Sequence, residues 1–123
     1  MIKGIGTDIV EIKRIGHIIN KNKETFMRKV FSDREWEYYK ENNFRTESIA
    51  AGFASKEAVM KVLGIGFRGI SFKDIEVLRD YLGKPYVNLS GEAFKLACDQ
   101  DILSVHLSIS HSKEYAIAFA IGE

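Results

Sequence analysis

The C-terminal end of the chain constrains the fold more than any other stretch. Over residues 104–110, Val105, Leu107 and Ile109 fall on one side of an extended backbone and His106, Ser108 and Ser110 on the other. That is the period-two pattern of a half-buried strand. Over residues 115–121, alanines alternate with Ile117, Phe119 and Ile121. This reads as a strand packed closely on both faces, whose small side chains admit a helix or a neighbouring subunit at short range. His111, Ser112, Lys113 and Glu114 lie between the two runs and make them a hairpin.

The remainder is mixed. Residues 2–10 are β-branched and glycine-punctuated, as in an opening strand. Residues 11–29 carry Ile12, Ile15, Ile18 and Ile19 at helical spacings, followed by Phe26, Met27 and Val30. Ser32-Asp33-Arg34-Glu35 is a capping box that predicts a helix through about Glu41. Residues 46–63 form the longest helical pattern, with Ile49, Phe53, Met60 and Leu63 on one stripe and Gly64 as C-cap. Residues 74–79 and 86–89 read as strands around a turn at 81–85, and residues 91–100 as a helix.

The 123 residues include a single proline, Pro85, and no linker-like stretch, so one domain is expected. With 18 basic and 17 acidic residues, a generally basic nucleic-acid binder is not expected. Cys98 stands alone, which excludes an internal disulfide and a paired-cysteine metal cluster. The longest apolar run, 115–121, is too short to cross a bilayer, and the first residues lack the apolar core of a signal peptide. A cytoplasmic protein with no membrane role is the expectation.

Several residues have chemistry that local pattern leaves open. Asp8 ends the first strand, where it serves as a helix N-cap or reaches a cation. Glu57 and Lys61 are one helical turn apart, as an ordinary ion pair or as part of a site. Lys56 falls inside the apolar stripe, where a lysine snorkels outward or floors an anion site. The glycine pairs Gly4/Gly6 and Gly64/Gly66 permit close backbone approach to phosphate but match no nucleotide-binding loop. His111, flanked by Ser110 and Ser112, suits a phosphate contact or proton transfer, or is a solvated turn residue. Between Lys13 and Lys29, six basic residues face only Glu24, with Ile15, Ile18, Phe26 and Met27 interleaved. Such a stretch docks an acidic partner or is a solvated helix face.

In combination these segments resemble the small phosphopantetheinyl transferases of the holo-[acyl-carrier-protein] synthase family. The resemblance rests on GIGTDIVEIKRI at 4–15, FASKEAVMKVLGIGF at 53–67, GKPYVNL at 83–89 and HLSISHSKEYAIAFAI at 106–121. It implies an α+β fold with a long helix packed on an antiparallel sheet, assembled as a homotrimer with active sites at subunit interfaces. It implies transfer of 4′-phosphopantetheine from coenzyme A to a serine of acyl carrier protein, with Mg²⁺ and release of adenosine 3′,5′-bisphosphate. Asp8 and Glu57 would then hold Mg²⁺, Lys61 would balance phosphate charge, and Lys56 would order the coenzyme A site. Gly64, Gly66 and Pro85 match coenzyme A-lining positions. His111 and Ser112 match positions near the nucleotide phosphates, supplied by a neighbouring subunit. Glu57 and a metal-bound water are the alternative bases. Arg14, Lys21, Lys23 and Arg28, with Ile15, Ile18 and Phe26, would dock the acidic carrier protein. Many relatives carry arginine directly before the F-A-x-K-E-A run, where this chain has Gly52. That leaves Arg45, Lys113 or a basic residue from another subunit to supply one expected phosphate contact. The rival reading is a non-catalytic binding module for acidic partner proteins.

Overall fold

The computed structural model describes residues 1–64 and 69–123. Its axis is α3 (Thr46–Leu63), which ends at Gly64 in the left-handed conformation, φ +81°. The stripe in the sequence predicts one buried face, but α3 is buried on nearly all sides from Ile49 to Leu63. The difference arises because Ala50, Ala51, Ala54 and Ala58 are also enclosed, so the helix lies between layers instead of on a surface.

One layer is an antiparallel sheet of β1 (Gly4–Glu11), β5 (Tyr115–Gly122) and β4 (Val105–His111), in the order β1-β5-β4. Its helix-facing side is built from the smallest residues. Gly6 pairs with Ala120, Asp8 with Ala118 and Val10 with Ala116, and all three alanines are fully buried. A Cβ at Gly6 would stand 2.0 Å from the Ala58 carbonyl oxygen, and one at Gly4 2.5 Å from that of Val62. The first glycine pair therefore serves helix-to-sheet contact and not phosphate approach. The outer side of the same strands carries Ile5, Ile9, Ile117 and Phe119, each more than 40% exposed. So β5 packs tightly on one face only, not on both as its alternation suggests.

The second layer comprises α1 (Ile12–Val30), α2 (Asp33–Glu41) and a two-stranded sheet of β2 (Ile75–Arg79) and β3 (Pro85–Leu89), with α4 (Gly91–Asp99) below. Helix α1 is kinked at Asn22 (φ −160°, ψ 75°), whose side chain accepts from the Thr25 N–H and restarts the helix. Periodicity alone gave no sign of this break. The capping box forms as expected. Ser32 Oγ accepts from Glu35 N–H, and Glu35 Oε1 accepts from Ser32 N–H at 2.9 Å.

Glu35 does more than cap. It is fully buried, its Oε2 accepts from Val77 N–H at 3.0 Å, and Lys56 Nζ donates to its Oε1 at 2.8 Å. Lys56 also donates to the carbonyls of Phe72 (2.9 Å) and Ile75 (2.6 Å). Lys56 thus neither snorkels nor floors an anion site. Its three donors are matched inside the protein, and burial pulls its pKa below the ordinary lysine value against the opposing pull of Glu35. Gly52 is explained in the same region, since a Cβ there would lie 1.9 Å from the Tyr39 hydroxyl oxygen. Tyr39, stacked edge-on against Phe31, fills the space a side chain at 52 would need.

Two glycine substitutions test the packing argument. Gly6→Ala forces β1 off α3 and lowers stability by about 3 kcal/mol or more, in the range of overpacked cores. Gly16→Ala, whose Cβ would meet nothing closer than Thr46 Cγ2 at 3.6 Å, adds up to about 1 kcal/mol through helix propensity. Urea denaturation measures both; equal effects would refute the close-contact role of Gly6.

Candidate active site

The absence of a Cβ at Gly4 and Gly6 brings β1 onto α3 and sets Asp8 against the helix. Asp8 is half-buried, and its Oδ2 is buried without a hydrogen-bond partner. Its Oδ1 lies 3.5 Å from Lys61 Nζ. Lys61 is fixed by donating to the Thr7 carbonyl at 2.8 Å. Glu57, one turn earlier on α3, lies close enough to Asp8 for the two carboxyl groups to interact electrostatically. Burial raises the pKa of Glu57 above the usual carboxylate range, the Asp8 charge raises it further, and Lys61 and Arg14 oppose both.

Two neighbouring carboxyl groups, one with an orphaned buried oxygen, fit a divalent cation. Magnesium uses one or two protein carboxylates and completes its octahedron with water and substrate phosphate. Among the described residues no group of three or more His, Cys, Asp or Glu side chains could hold a metal ion. The donor set therefore suits an oxygen-ligated, substrate-completed ion better than a closed protein cage.

Glu57 also opens onto a cleft of about 540 Å³, with Arg14, Lys29, Phe53, Ile70, Ser71 and Phe72 as the other walls. Phe53 and Phe72 pack with ring centroids 5.4 Å apart and form its apolar side. Arg14 and Lys29 bring positive charge to it. Arg14 further borders a hollow of about 460 Å³ with Glu11, Lys13, His17 and Ile18. The basic face of α1 and the paired carboxylates are thus parts of one surface.

The other sequence candidates divide. Arg14, Lys21 and Arg28 are exposed on α1, Arg28 in an ion pair with Glu24. Lys23 sits 3.3 Å from the centroid of the Phe44 ring, a cation–π contact. Ile18 and Phe26 are half-buried, and Phe26 stacks against Phe31 and Phe53. Ile15 is 1% exposed and belongs to the core, which corrects its assignment to a docking face. Lys56, expected at the coenzyme A site, points to the opposite side of α3 and has no exposed surface. Gly64 caps α3, and Gly66 lies outside the described residues. Pro85 opens β3 opposite Arg79.

His111 ends β4 across β5 from Val10. Two strand spacings and two residues along β4 separate it from Asp8, on the order of 12 Å. It lies by Glu47, whose carboxyl is held low by a backbone donor at the helix start, by Arg45 and by His111. Ser112 Oγ accepts from the N–H groups of Glu114 and Tyr115 and shapes the hairpin turn. Within one chain, neither His111 nor Ser112 joins the carboxylate pair. The sequence reading missed the cleft wall at 70–72 and the inward role of Glu35. A second capping box, Ser71 to Asp74, was the available signal for the wall.

Glu57→Gln tests the electrostatics without any substrate. A group whose folded-state pKa is raised destabilises the fold once ionised, so the variant raises Tm at neutral pH without metal. That gain disappears as pH falls through the raised pKa. The same variant loses the stabilisation that Mg²⁺ gives the unsubstituted chain, about 2.7 kcal/mol at a hundredfold excess over Kd. Thermal denaturation with and without Mg²⁺ checks both; an undiminished Mg²⁺ effect would place the ion elsewhere.

Residues 4–120 match the 4′-phosphopantetheinyl transferase superfamily. The chain is 53% identical over its whole length to a holo-[acyl-carrier-protein] synthase of Clostridium botulinum, covering 98% of that protein. Among solved structures, holo-[acyl-carrier-protein] synthase from Neisseria meningitidis superposes with a TM-score of 0.92 at 35% identity, covering 100% of this chain and 99% of that one. The Helicobacter pylori enzyme in complex with coenzyme A gives a TM-score of 0.85 at 34% identity, covering 97% and 99%.

Proposed function

Because the chain belongs to the 4′-phosphopantetheinyl transferase superfamily, we propose that it is a holo-[acyl-carrier-protein] synthase. It moves the 4′-phosphopantetheine group of coenzyme A to a serine of apo acyl carrier protein and releases adenosine 3′,5′-bisphosphate. The observation that carries this reading is the orphaned Asp8 Oδ2 beside the Glu57 carboxyl, at the mouth of a cleft with cationic walls. The full-length match to the synthases supports treating residues 1–123 as one transferase domain.

Asp8 and Glu57 are the residues that would hold Mg²⁺, which when bound neutralises charge on the pyrophosphate. The acceptor serine oxygen forms a bond to the phosphorus that carries pantetheine, and the bridging P–O bond of the pyrophosphate breaks. The electron pair of that bond leaves with the nucleotide phosphate. Lys61, held by the Thr7 carbonyl, faces Asp8 and lends positive charge to that leaving side. Of the chain's own groups here, Glu57 is the candidate to take the serine proton, since it opens onto the cleft. Arg14, Lys21 and Arg28 on α1 fit the acidic surface of a carrier protein and orient it over the cleft.

Two features support assembly as a homotrimer with shared sites. The outer sheet face leaves Ile5, Ile9, Ile117 and Phe119 uncovered, a patch that subunit contact would bury. His111 and Ser112 lie too far from Asp8 in one chain to reach a phosphate held there, so a neighbour would supply them. Arg45, at the start of α3 near His111, is suited to contact nucleotide phosphate in place of an arginine at 52. A cytoplasmic setting agrees with the exposed, unpaired Cys98. Among the described residues no helix is long and apolar enough to cross a membrane.

Incubation with coenzyme A, Mg²⁺ and apo carrier protein adds one phosphopantetheine mass to the carrier, read by mass spectrometry. An unchanged mass, where a known synthase is active, would reject the proposal. Glu57→Ala lowers kcat on the order of 100-fold or more. Lys21→Glu with Arg28→Glu acts mainly on KM for the carrier, about tenfold. A non-catalytic binding module shows the opposite pattern, losing its effect with the α1 pair and keeping it with Glu57→Ala.

A further inference from the structure

Residues 56 and 57 sit side by side on α3 and serve opposite sides of it. Glu57 opens onto the cleft, and Lys56 points back into the protein. The lysine nonetheless touches the cleft, because one of its three acceptors is the carbonyl of Phe72, whose ring forms the cleft wall. A second acceptor, the Ile75 carbonyl, lies just beyond that wall at the start of β2. The third is Glu35 Oε1, which also accepts from Ser32 N–H, while Oε2 accepts from Val77 N–H. One fully buried carboxylate therefore joins the start of α2, the middle of α3 and strand β2.

We propose that Glu35, acting through Lys56, is a positioning residue for the reaction: it fixes the wall formed by residues 70–72 at its working distance from Glu57. This inference rests on the transferase reading of the cleft. Capping α2 alone requires only the bond from Ser32 N–H to Oε1. The ammonium of Lys56 and the N–H of Val77 use the rest of the carboxylate, and both lead toward the cleft wall. The wall contacts α3 through the Phe72 ring on Phe53 and through the Phe72 carbonyl on Lys56. Phe53 and Lys56 are nearly one turn apart on α3, so the wall is referenced to the same helix that carries Glu57.

The test uses the paired variant Glu35→Gln with Lys56→Met, which removes both charges together and leaves no buried ion unpaired. Ser32→Ala serves as control; it weakens the α2 cap by about 1 kcal/mol and leaves the Glu35–Lys56 bond in place. Kinetics are read at a temperature where circular dichroism shows all proteins folded. The paired variant raises KM for coenzyme A about tenfold or more and leaves KM for the carrier within about twofold, while Ser32→Ala changes neither. Amide hydrogen exchange at residues 70–77 speeds up in the paired variant and not along α3. An unchanged KM for coenzyme A in the folded paired variant overturns the proposal, as does an equal rise in Ser32→Ala. If the unsubstituted protein itself transfers nothing, the transferase reading fails, and exchange at 70–77 decides the tether: retained protection in the paired variant overturns it.

Discussion

The structure depends on how closely one helix approaches one sheet. Glycines at 4 and 6 and alanines at 116, 118 and 120 present almost no side chain to α3, so the backbone of β1 lies against the Ala58 and Val62 carbonyls. Close packing of this kind tolerates no added methyl group, because interiors lack the slack to absorb one. Its consequence reaches past stability. A strand this near the helix delivers Asp8, two residues beyond Gly6, to the level of Glu57 and Lys61. The separation of the two carboxyl groups is therefore set by residues that take no part in chemistry.

The helix then has to accommodate charge on two sides by different means. Toward the sheet, Asp8 and Glu57 repel each other, and Lys61 and Arg14 offset that repulsion only in part, with one Asp8 oxygen left unpartnered. Toward α2 and β2, Lys56 and Glu35 are deeper still, yet every donor of the ammonium is matched. Burial without partners is costly, and burial with them is tolerated. The contrast marks the sheet side as the one completed from outside. It supports the proposed cation and substrate there, and gives the opposite side the character of a fixed frame.

Much of this was legible in the residues. The capping box at Ser32, the Gly64 cap, the long helix at 46–63 and the C-terminal hairpin all form where local pattern places them, because each is a short-range effect of caps and periodicity. What failed was long-range. Lys56 reads as a snorkelling lysine because its partner is 21 positions away on another helix. Ile15 reads as a docking residue because the turn of α1 toward the core is fixed by tertiary contacts. The break at Asn22 depends on a single side chain capping Thr25, within a sequence that otherwise keeps helical spacing. Of the candidate site, Asp8, Glu57 and Lys61 were named from the family motif, and the fold brings them close together. The orphaned oxygen and the nearness of the two carboxyls needed the packed sheet.

The alternation in β5 is an inversion of ordinary strand logic. A strand that stabilised only its own chain would turn Ile117 and Phe119 inward and leave the alanines to solvent, since burying apolar area contributes roughly 25 cal/mol per Å². Here the alanines face the helix and the large side chains face out, beside Ile5 and Ile9 of β1. The inward choice is forced, because larger residues would push α3 from the sheet and separate Asp8 from Glu57. The outward choice is not forced by anything within the chain, and it leaves apolar surface in water. The proposed contact with further copies of the chain would resolve that cost. It would also bring a second His111 and Ser112 toward a carboxylate pair that its own hairpin does not reach.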